Sequence, residues 1–131
     1  MTIFAAASAL IAIITGEDGA DTLADALDSD QRRLCSAISV WETTAGLCRS
    51  YAFPIPAAHA RIKLFLDAGR FQFVEIGESE WVIASEAYAQ FGNGRHPAAL
   101  NMGDCFAYAC ARVNRARLLH KGGDFRQTDI G

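Results

Sequence analysis

The sequence has no hydrophobic run long enough to cross a membrane. The longest apolar stretch near its start, residues 3–14, falls short of the ~20 residues that span a bilayer. No lysine or arginine precedes this stretch, as one would in a signal peptide. These absences predict a cytoplasmic protein without a membrane segment.

The four cysteines lack the spacing of a zinc or redox site. No Cys-x-x-Cys pair occurs, and each cysteine lies among apolar residues. We therefore predict buried free thiols in a reducing compartment. The four positions are Cys35, Cys48, Cys105 and Cys110.

An excess of basic charge is also absent. The net charge is −3, whereas a protein that coats nucleic acid binds through a strongly basic face. A nuclease remains compatible with this charge, because acidic metal ligands lower the total while local basic residues still contact phosphates. The 131 residues are 51% hydrophobic, which predicts a single domain, residues 1–131, with a substantial core.

Strands and helices are predicted to alternate along the whole chain. This alternation indicates an α/β fold with a mostly parallel sheet of four to five strands, covered on both faces by helices. Ligands of such sheets bind beyond the carboxyl ends of the strands. The predicted strands are residues 2–6, 34–37, 71–76 and 117–120, with a last edge strand at 129–130; the predicted helices are residues 8–15, 20–27, 39–51, 56–68, 78–91 and 101–114, and residues 92–100 form a loop.

Three acidic residues fall at predicted helix starts or strand exits on one rim of this sheet. Each also has a simpler explanation: Glu42 would complete a capping box with Ser39, Asp104 would stabilise a helix start, and Asp124 would lie in a turn. Three acids on one rim would repel each other unless a cation lay among them. Mg²⁺ or Mn²⁺ suits such oxygen ligands, and the corresponding chemistry is phosphodiester hydrolysis.

Several segments resemble PIN-domain toxins of the VapC type. The most specific is FGNGRHPAALNMGDCFAY at residues 91–108, supported by ASAL at residues 7–10 and KGGDF at residues 121–125, and the resemblance covers nearly the whole chain. It implies a PIN-like three-layer sandwich and an endoribonuclease whose acidic residues hold Mg²⁺ or Mn²⁺. It also implies a VapB-like antitoxin partner, an RNA substrate such as tRNA or rRNA, and a homodimer.

The resemblance assigns the catalytic and metal-binding roles to Glu42, Asp104 and Asp124. A further aspartate is expected two residues before Ser8, but this chain has Ala6 there. An alanine offers no oxygen ligand, so we predict weak metal affinity, little or no cleavage and an intact fold. Ser8 would support the site by hydrogen bonding to a carboxylate or a metal-bound water, or would simply cap its helix.

Alternatives to an active nuclease stay open at the level of sequence. Ala6 is either an engineered change that silences the toxin or a natural degeneration, and the second case favours a catalytically inert module that binds the antitoxin. A receiver-like α/β domain would need a lysine near the final strand, for which Lys121 is the only candidate.

Four aromatic residues have two competing explanations. They would stack on RNA bases, as in single-strand binding proteins, or they belong to the core or to a protein interface. The four are Trp41, Trp81, Phe91 and Phe106.

Overall fold

The computed structural model describes residues 1–92 and 100–122. Strands and helices alternate as the hydrophobic pattern predicts. The predicted last strand at 129–130, the end of the KGGDF segment and most of the predicted loop at 92–100 lie outside the described residues. The elements are β1 (Thr2–Ala5), α1 (Ala7–Thr15), α2 (Ala20–Asp28), β2 (Arg32–Ser36), α3 (Ala37–Tyr51), α4 (Ile55–Ala68), β3 (Gln72–Val74), α5 (Glu78–Phe91), α6 (Met102–Val113) and β4 (Arg117–Leu119).

The four described strands form one sheet in the order β3-β2-β1-β4, and every pair is parallel. The register places Phe4 of β1 between Leu34 of β2 and Leu118 of β4. β3 lies at one edge of this sheet, where Phe73 is exposed. The predicted α/β architecture with a parallel sheet is therefore confirmed.

Side chains alternate between the two faces of the sheet. Ile3 and Ala5 of β1 pack with helices α1 to α4, whereas Phe4 and the following Ala6 pack with α5 and α6. The fully buried Phe4 contributes roughly 1.5 to 3 kcal/mol to folding. The result is the expected three-layer arrangement of helices, sheet and helices.

The carboxyl edge of the sheet gathers the starts of three helices. Helices α1 and α3 begin directly after β1 and β2, so their first turns lie at this edge. Helix α6 leads into the amino end of β4 and packs against β1, and its own first turn therefore lies at the same edge. Within residues 1–92 and 100–122, no helix combines the length and the apolar character needed to cross a membrane.

Candidate functional site

Two of the predicted site residues meet at the carboxyl edge of the sheet. Glu42 lies in the second turn of α3, and Asp104 lies in the first turn of α6. Partial burial raises the pKa of the Glu42 carboxyl, and the nearby negative charge of Asp104 raises it further. The structure therefore brings together two carboxylates that repel each other.

Gly103 makes this close approach possible. A Cβ atom built on Gly103 would lie 1.8 Å from Oε2 of Glu42, so any other residue there would displace the carboxylate. The Glu42 carboxylate consequently rests directly against the backbone of the first turn of α6. The missing side chain at Gly103 creates the space in which the two acids meet.

The predicted capping box of Ser39 with Glu42 is wrong. Helix α3 begins earlier, at Ala37, so the capping residue is Ser36. The Ser36 hydroxyl accepts from the Ser39 amide at 3.1 Å, and the Ser39 hydroxyl accepts from the Ser36 amide at 3.0 Å. Glu42 lies a turn beyond this cap, and no side chain in the described ranges donates a hydrogen bond to it. The simpler explanation for Glu42 is therefore removed.

Asp104 does stabilise its helix start, through a capping box with Asn101. The Asp104 amide donates to Oδ1 of Asn101 at 2.9 Å, and Oδ2 of Asp104 accepts from the Asn101 amide at 3.1 Å. The second of these bonds restricts the Asp104 side chain, beside which Glu42 lies. A capping role and a ligand role are compatible, because a carboxylate has two oxygens with several lone pairs.

Ala6 occupies the same edge, at the end of β1. Its amide donates to the carbonyl of Leu119 at 2.9 Å, and it precedes the first turn of α1. The residue is 5% exposed and packs in the cluster that contains Cys105 and Leu34. Its methyl group thus faces the same side of the sheet as α6 and supplies no oxygen.

Ser8 does not cap α1, since the capping position is Ala6. Its hydroxyl instead accepts from the backbone amide of Lys121 at 2.9 Å. The Lys121 ammonium pairs with Glu17 at 2.6 Å, and the hydroxyl of Tyr51 also donates to Glu17. Ser8, Glu17 and Tyr51 therefore hold the chain just after β4. Asp124, three residues further on, lies outside the described residues.

The donor chemistry of this edge fits a hard divalent cation. Glu42 and Asp104 offer carboxylate oxygens, which Mg²⁺ and Mn²⁺ take as ligands, and a cation between them would relieve their repulsion. In the described part of the chain, no group of three or more potential metal ligands occurs. Glu42 and Asp104 are thus the two candidate donors that the described residues bring together at this edge.

Two determinants of this geometry were missed in the sequence. Gly103 stands in an otherwise apolar helix, where glycine is unfavourable and indicates a packing or functional reason. Ser36 and Ser39 have the spacing of a cap, but the predicted strand, residues 34–37, extended through Ser36. Gly103 and the Ser36 cap both determine where Glu42 lies.

Comparisons with known proteins agree with the fold. The PIN domain family profile matches residues 3–131. The chain is 35% identical over 123 residues to the ribonuclease VapC30 of Mycobacterium tuberculosis, covering 94% of this chain and 92% of the relative. It is 37% identical to the ribonuclease VapC of Mycolicibacterium smegmatis over 94% and 93% of the two chains.

A relative from another bacterium and a solved structure extend these matches. A VapC ribonuclease of Rhizobium meliloti is 35% identical, with 98% of this chain and 99% of the relative covered. The crystal structure of Mycobacterium tuberculosis VapC20, described as a sarcin-ricin loop cleaving toxin, is similar with a TM-score of 0.76. At 19% identity over 98% and 96% of the chains, it supports the fold alone.

Proposed function

The chain belongs to the PIN-domain family, among its VapC ribonuclease toxins, and from this premise we propose that it is a Mg²⁺- or Mn²⁺-dependent endoribonuclease weakened by Ala6. It would act as the toxin of a type II toxin-antitoxin system. Its substrate would be RNA, of the tRNA or rRNA class, and its partners a VapB-like antitoxin and a second copy of the chain.

One observation carries this proposal. Glu42 and Asp104 share a half-buried position at the carboxyl edge of the sheet, where the charge of Asp104 opposes ionisation of Glu42. Two neighbouring carboxylates repel each other, and a divalent cation between them would relieve that repulsion. Ala6 lies at the end of the neighbouring strand, where the family resemblance expects a further aspartate.

Asp104, Glu42 and Asp124 are the residues that would hold the cation. When bound, a divalent cation supplies activation of a water molecule and stabilisation of charge on the scissile phosphate. Asp104 is restrained for this role by its bonds to Asn101. Glu42 would have to give up the proton that its raised pKa favours, so the site would load more readily as the pH rises.

Ala6 removes one ligand and leaves the fold intact. The methyl group lies in an apolar cluster, so no polar group is left unsatisfied by the change. It also leaves fewer negative charges at the edge when metal is absent. We therefore expect a stable chain with weak metal affinity and little cleavage.

A second candidate function is a catalytically inert module that binds the antitoxin. The close packing of Ala6, at 5% exposure, favours this alternative because the position already behaves as part of the core. The two functions differ in what an aspartate at this position would do. In the nuclease it completes a metal site, whereas in the inert module it only buries a charge.

The test introduces Ala6→Asp and, as a matched control, Ala6→Asn. The two side chains have nearly the same shape, but only aspartate adds a charge and a strong metal ligand. We expect Ala6→Asp to be less stable than Ala6→Asn in EDTA and to recover with Mg²⁺, as measured by thermal unfolding. We also expect Mg²⁺-dependent cleavage of RNA by Ala6→Asp of at least about a hundred-fold over the asparagine variant.

Equal behaviour of the two variants would contradict the nuclease proposal. If neither cleaves RNA and Mg²⁺ stabilises neither, the edge is not a cation site and the inert module is favoured. If Ala6→Asp is stabilised by Mg²⁺ and cleaves RNA, both the metal requirement and the effect of Ala6 are established.

A further inference from the structure

A slot that opens to solvent lies between helices α5 and α6. Its walls are the aromatic and thioether side chains of Trp81, Tyr88, Met102 and Phe106, and its floor contains Ala84. The slot has a volume of about 290 Å³, at the small end of the ~300 to 1,000 Å³ that ligand pockets occupy. It therefore suits a single ring system rather than a large ligand.

The helical spacing explains the shape of this slot. Trp81 and Tyr88 lie seven residues apart on one stripe of α5, and Met102 and Phe106 lie four apart on α6. Between these stripes, the floor is made of the small buried residues Ala84 and Cys105. The large side chains of the walls therefore enclose a gap above the small floor residues, and a flat group would fit this gap.

The residues that line the slot are uncharged, although the slot is open to solvent. Trp81 is 60% exposed, and its indole gains nothing from the core in this position. None of the seven lining residues is acidic or basic, so the slot suits a flat, neutral group. Aromatic side chains bind nucleobases in this way, and the interaction tolerates any base because every base has a π face.

The slot adjoins the carboxylates. Met102, in its wall, precedes Gly103, on which the Glu42 carboxylate rests, and Cys105, in its floor, follows Asp104. The slot and the two acids are therefore built around the same first turn of α6, an arrangement in which one nucleotide could place its base in the slot and its phosphate at the acids.

We propose that this slot, between Trp81 and Met102, binds a nucleobase of the RNA strand whose phosphate lies at Glu42 and Asp104. The inference rests on the proposed ribonuclease function and assigns its base-binding site. A docked protein is the less suitable occupant, because a stable interface needs ~20 to 30 residues a side and the slot is lined by seven. Stacking in the slot would hold an RNA strand without reading its sequence.

The two tryptophans provide a matched test. Trp41 is 67% exposed and lines a different groove, between α3 and α4, so its exposure is similar to that of Trp81 while its position differs. Trp41→Phe leaves Trp81 as the sole indole, and Trp81→Phe leaves Trp41. Each full-length variant is titrated with a short single-stranded RNA of mixed sequence, and indole fluorescence is measured.

We expect RNA to quench Trp81 in Trp41→Phe and to leave Trp41 unchanged in Trp81→Phe. Trp81→Ala should weaken RNA binding about 5- to 150-fold, the equivalent of one lost stacked base, and Trp81→Phe should recover part of the affinity. Trp41→Ala should bind as the parent does. Trp81 is exposed, so neither substitution is expected to disturb folding, and circular dichroism verifies this.

Three results would overturn the proposal. The first is quenching confined to Trp41, and the second is equal RNA affinity of Trp81→Ala and Trp41→Ala. The third is a dimer that Trp81→Ala converts to monomer in sedimentation while RNA affinity stays the same, since the slot is then a contact between two copies.

The base slot and the nuclease function fail in different ways. If Ala6→Asp cleaves RNA and adding Trp81→Ala changes neither binding nor cleavage, the nuclease stands and the slot is overturned. If RNA quenches Trp81 although Ala6→Asp never cleaves, the slot is supported and the nuclease is contradicted.

Discussion

The carboxylates at the two edges of the sheet have opposite electrostatic surroundings. At the amino edge, Asp30 precedes β2, is 3% exposed and pairs with Arg117, the first residue of β4, whose Nε lies 3.2 Å from Oδ2 of Asp30. At the carboxyl edge, Glu42 has Asp104 as its neighbour, and the two charges have the same sign. One edge pairs its acid with an arginine of the same chain, whereas the other places two acids side by side.

This difference distinguishes a carboxylate that stabilises the fold from carboxylates that are candidate ligands. Asp30 is buried because a guanidinium accompanies it, and the pair links two strands that the chain order keeps far apart. The repulsion between Glu42 and Asp104 opposes folding slightly, and the pair lies at the edge where parallel sheets bind ligands. The same residue type is therefore a structural element at one edge and a candidate ligand at the other.

Removing the cation at the amino edge should have the largest effect on stability. Arg117→Leu leaves Asp30 buried without its partner, and we expect the free energy of unfolding to fall by about 1 to 3 kcal/mol. The estimate is at the low end for a buried pair because Arg117 is 51% exposed. Urea unfolding measures the change.

The control for this experiment is an ion pair that lies in solvent. Lys63 pairs with Asp67 at 2.7 Å one turn along α4, and both side chains are mostly exposed. Lys63→Leu should change the free energy of unfolding by no more than about 0.5 kcal/mol. If the two variants unfold at the same urea concentration, the amino edge does not stabilise the fold in the way described.

Local sequence patterns predicted the helices and strands well, because the spacing of hydrophobic residues that distinguishes them involves only neighbouring residues. Helix α5 has the predicted bounds, and the described strands differ from their predictions by at most two residues at either end. The three-layer architecture followed from the alternation of strands and helices. Family resemblance then supplied the roles of Glu42 and Asp104, which no local pattern separates from capping or turn residues.

Contacts between distant segments could not be predicted in the same way. Asp30 and Arg117 are 87 residues apart, and nothing near either of them indicates the pair. The meeting of Glu42 with Gly103 depends on how α3 and α6 cross, which requires the packed sheet. The start of α3 was misplaced because Ser36 ends a strand and caps a helix, and a periodicity argument assigns it to only one of them.

Neutralising one acid at the carboxyl edge should stabilise the metal-free chain. The folded-state pKa of Glu42 lies above its unfolded value, so its contribution to stability becomes unfavourable as the pH rises through that interval. Glu42→Gln removes this penalty, and we expect an increase on the order of 1 kcal/mol or less at neutral pH in EDTA. Below the ordinary glutamate pKa, the two proteins should be equally stable.

Thermal unfolding across the pH range measures this second effect. The matched control is Glu86→Gln, an exposed glutamate on α5, which should not change the pH dependence. A Glu42→Gln variant that is less stable than the parent at neutral pH would mean that the Glu42 carboxylate is compensated within the chain. The contrast between the two edges would then disappear.

The smallest expected effect on stability comes from Gly103→Ala, and it separates geometry from charge. The new methyl group would overlap the Glu42 carboxylate, which is the end of a flexible side chain and can swing aside. Alanine also favours a helix over glycine by up to about 1 kcal/mol, so the stability in EDTA should change by less than that amount. The variant keeps both carboxylates, but the Glu42 carboxylate can no longer rest against the first turn of α6.

The test is whether Mg²⁺ still stabilises the variant. In the Ala6→Asp background, adding Gly103→Ala should abolish the stabilisation by Mg²⁺, because a cation site depends on where its ligands lie and not only on how many are present. Gly46→Ala is the control: a Cβ at this helical glycine would meet the side chain of Ile11, so it perturbs the packing of α3 on α1, one turn beyond Glu42. Its Mg²⁺ response should persist even if its stability falls. An undiminished response in Gly103→Ala would show that the carboxyl edge binds cations through its charge alone, and the placement of Glu42 against α6 would have no part in it.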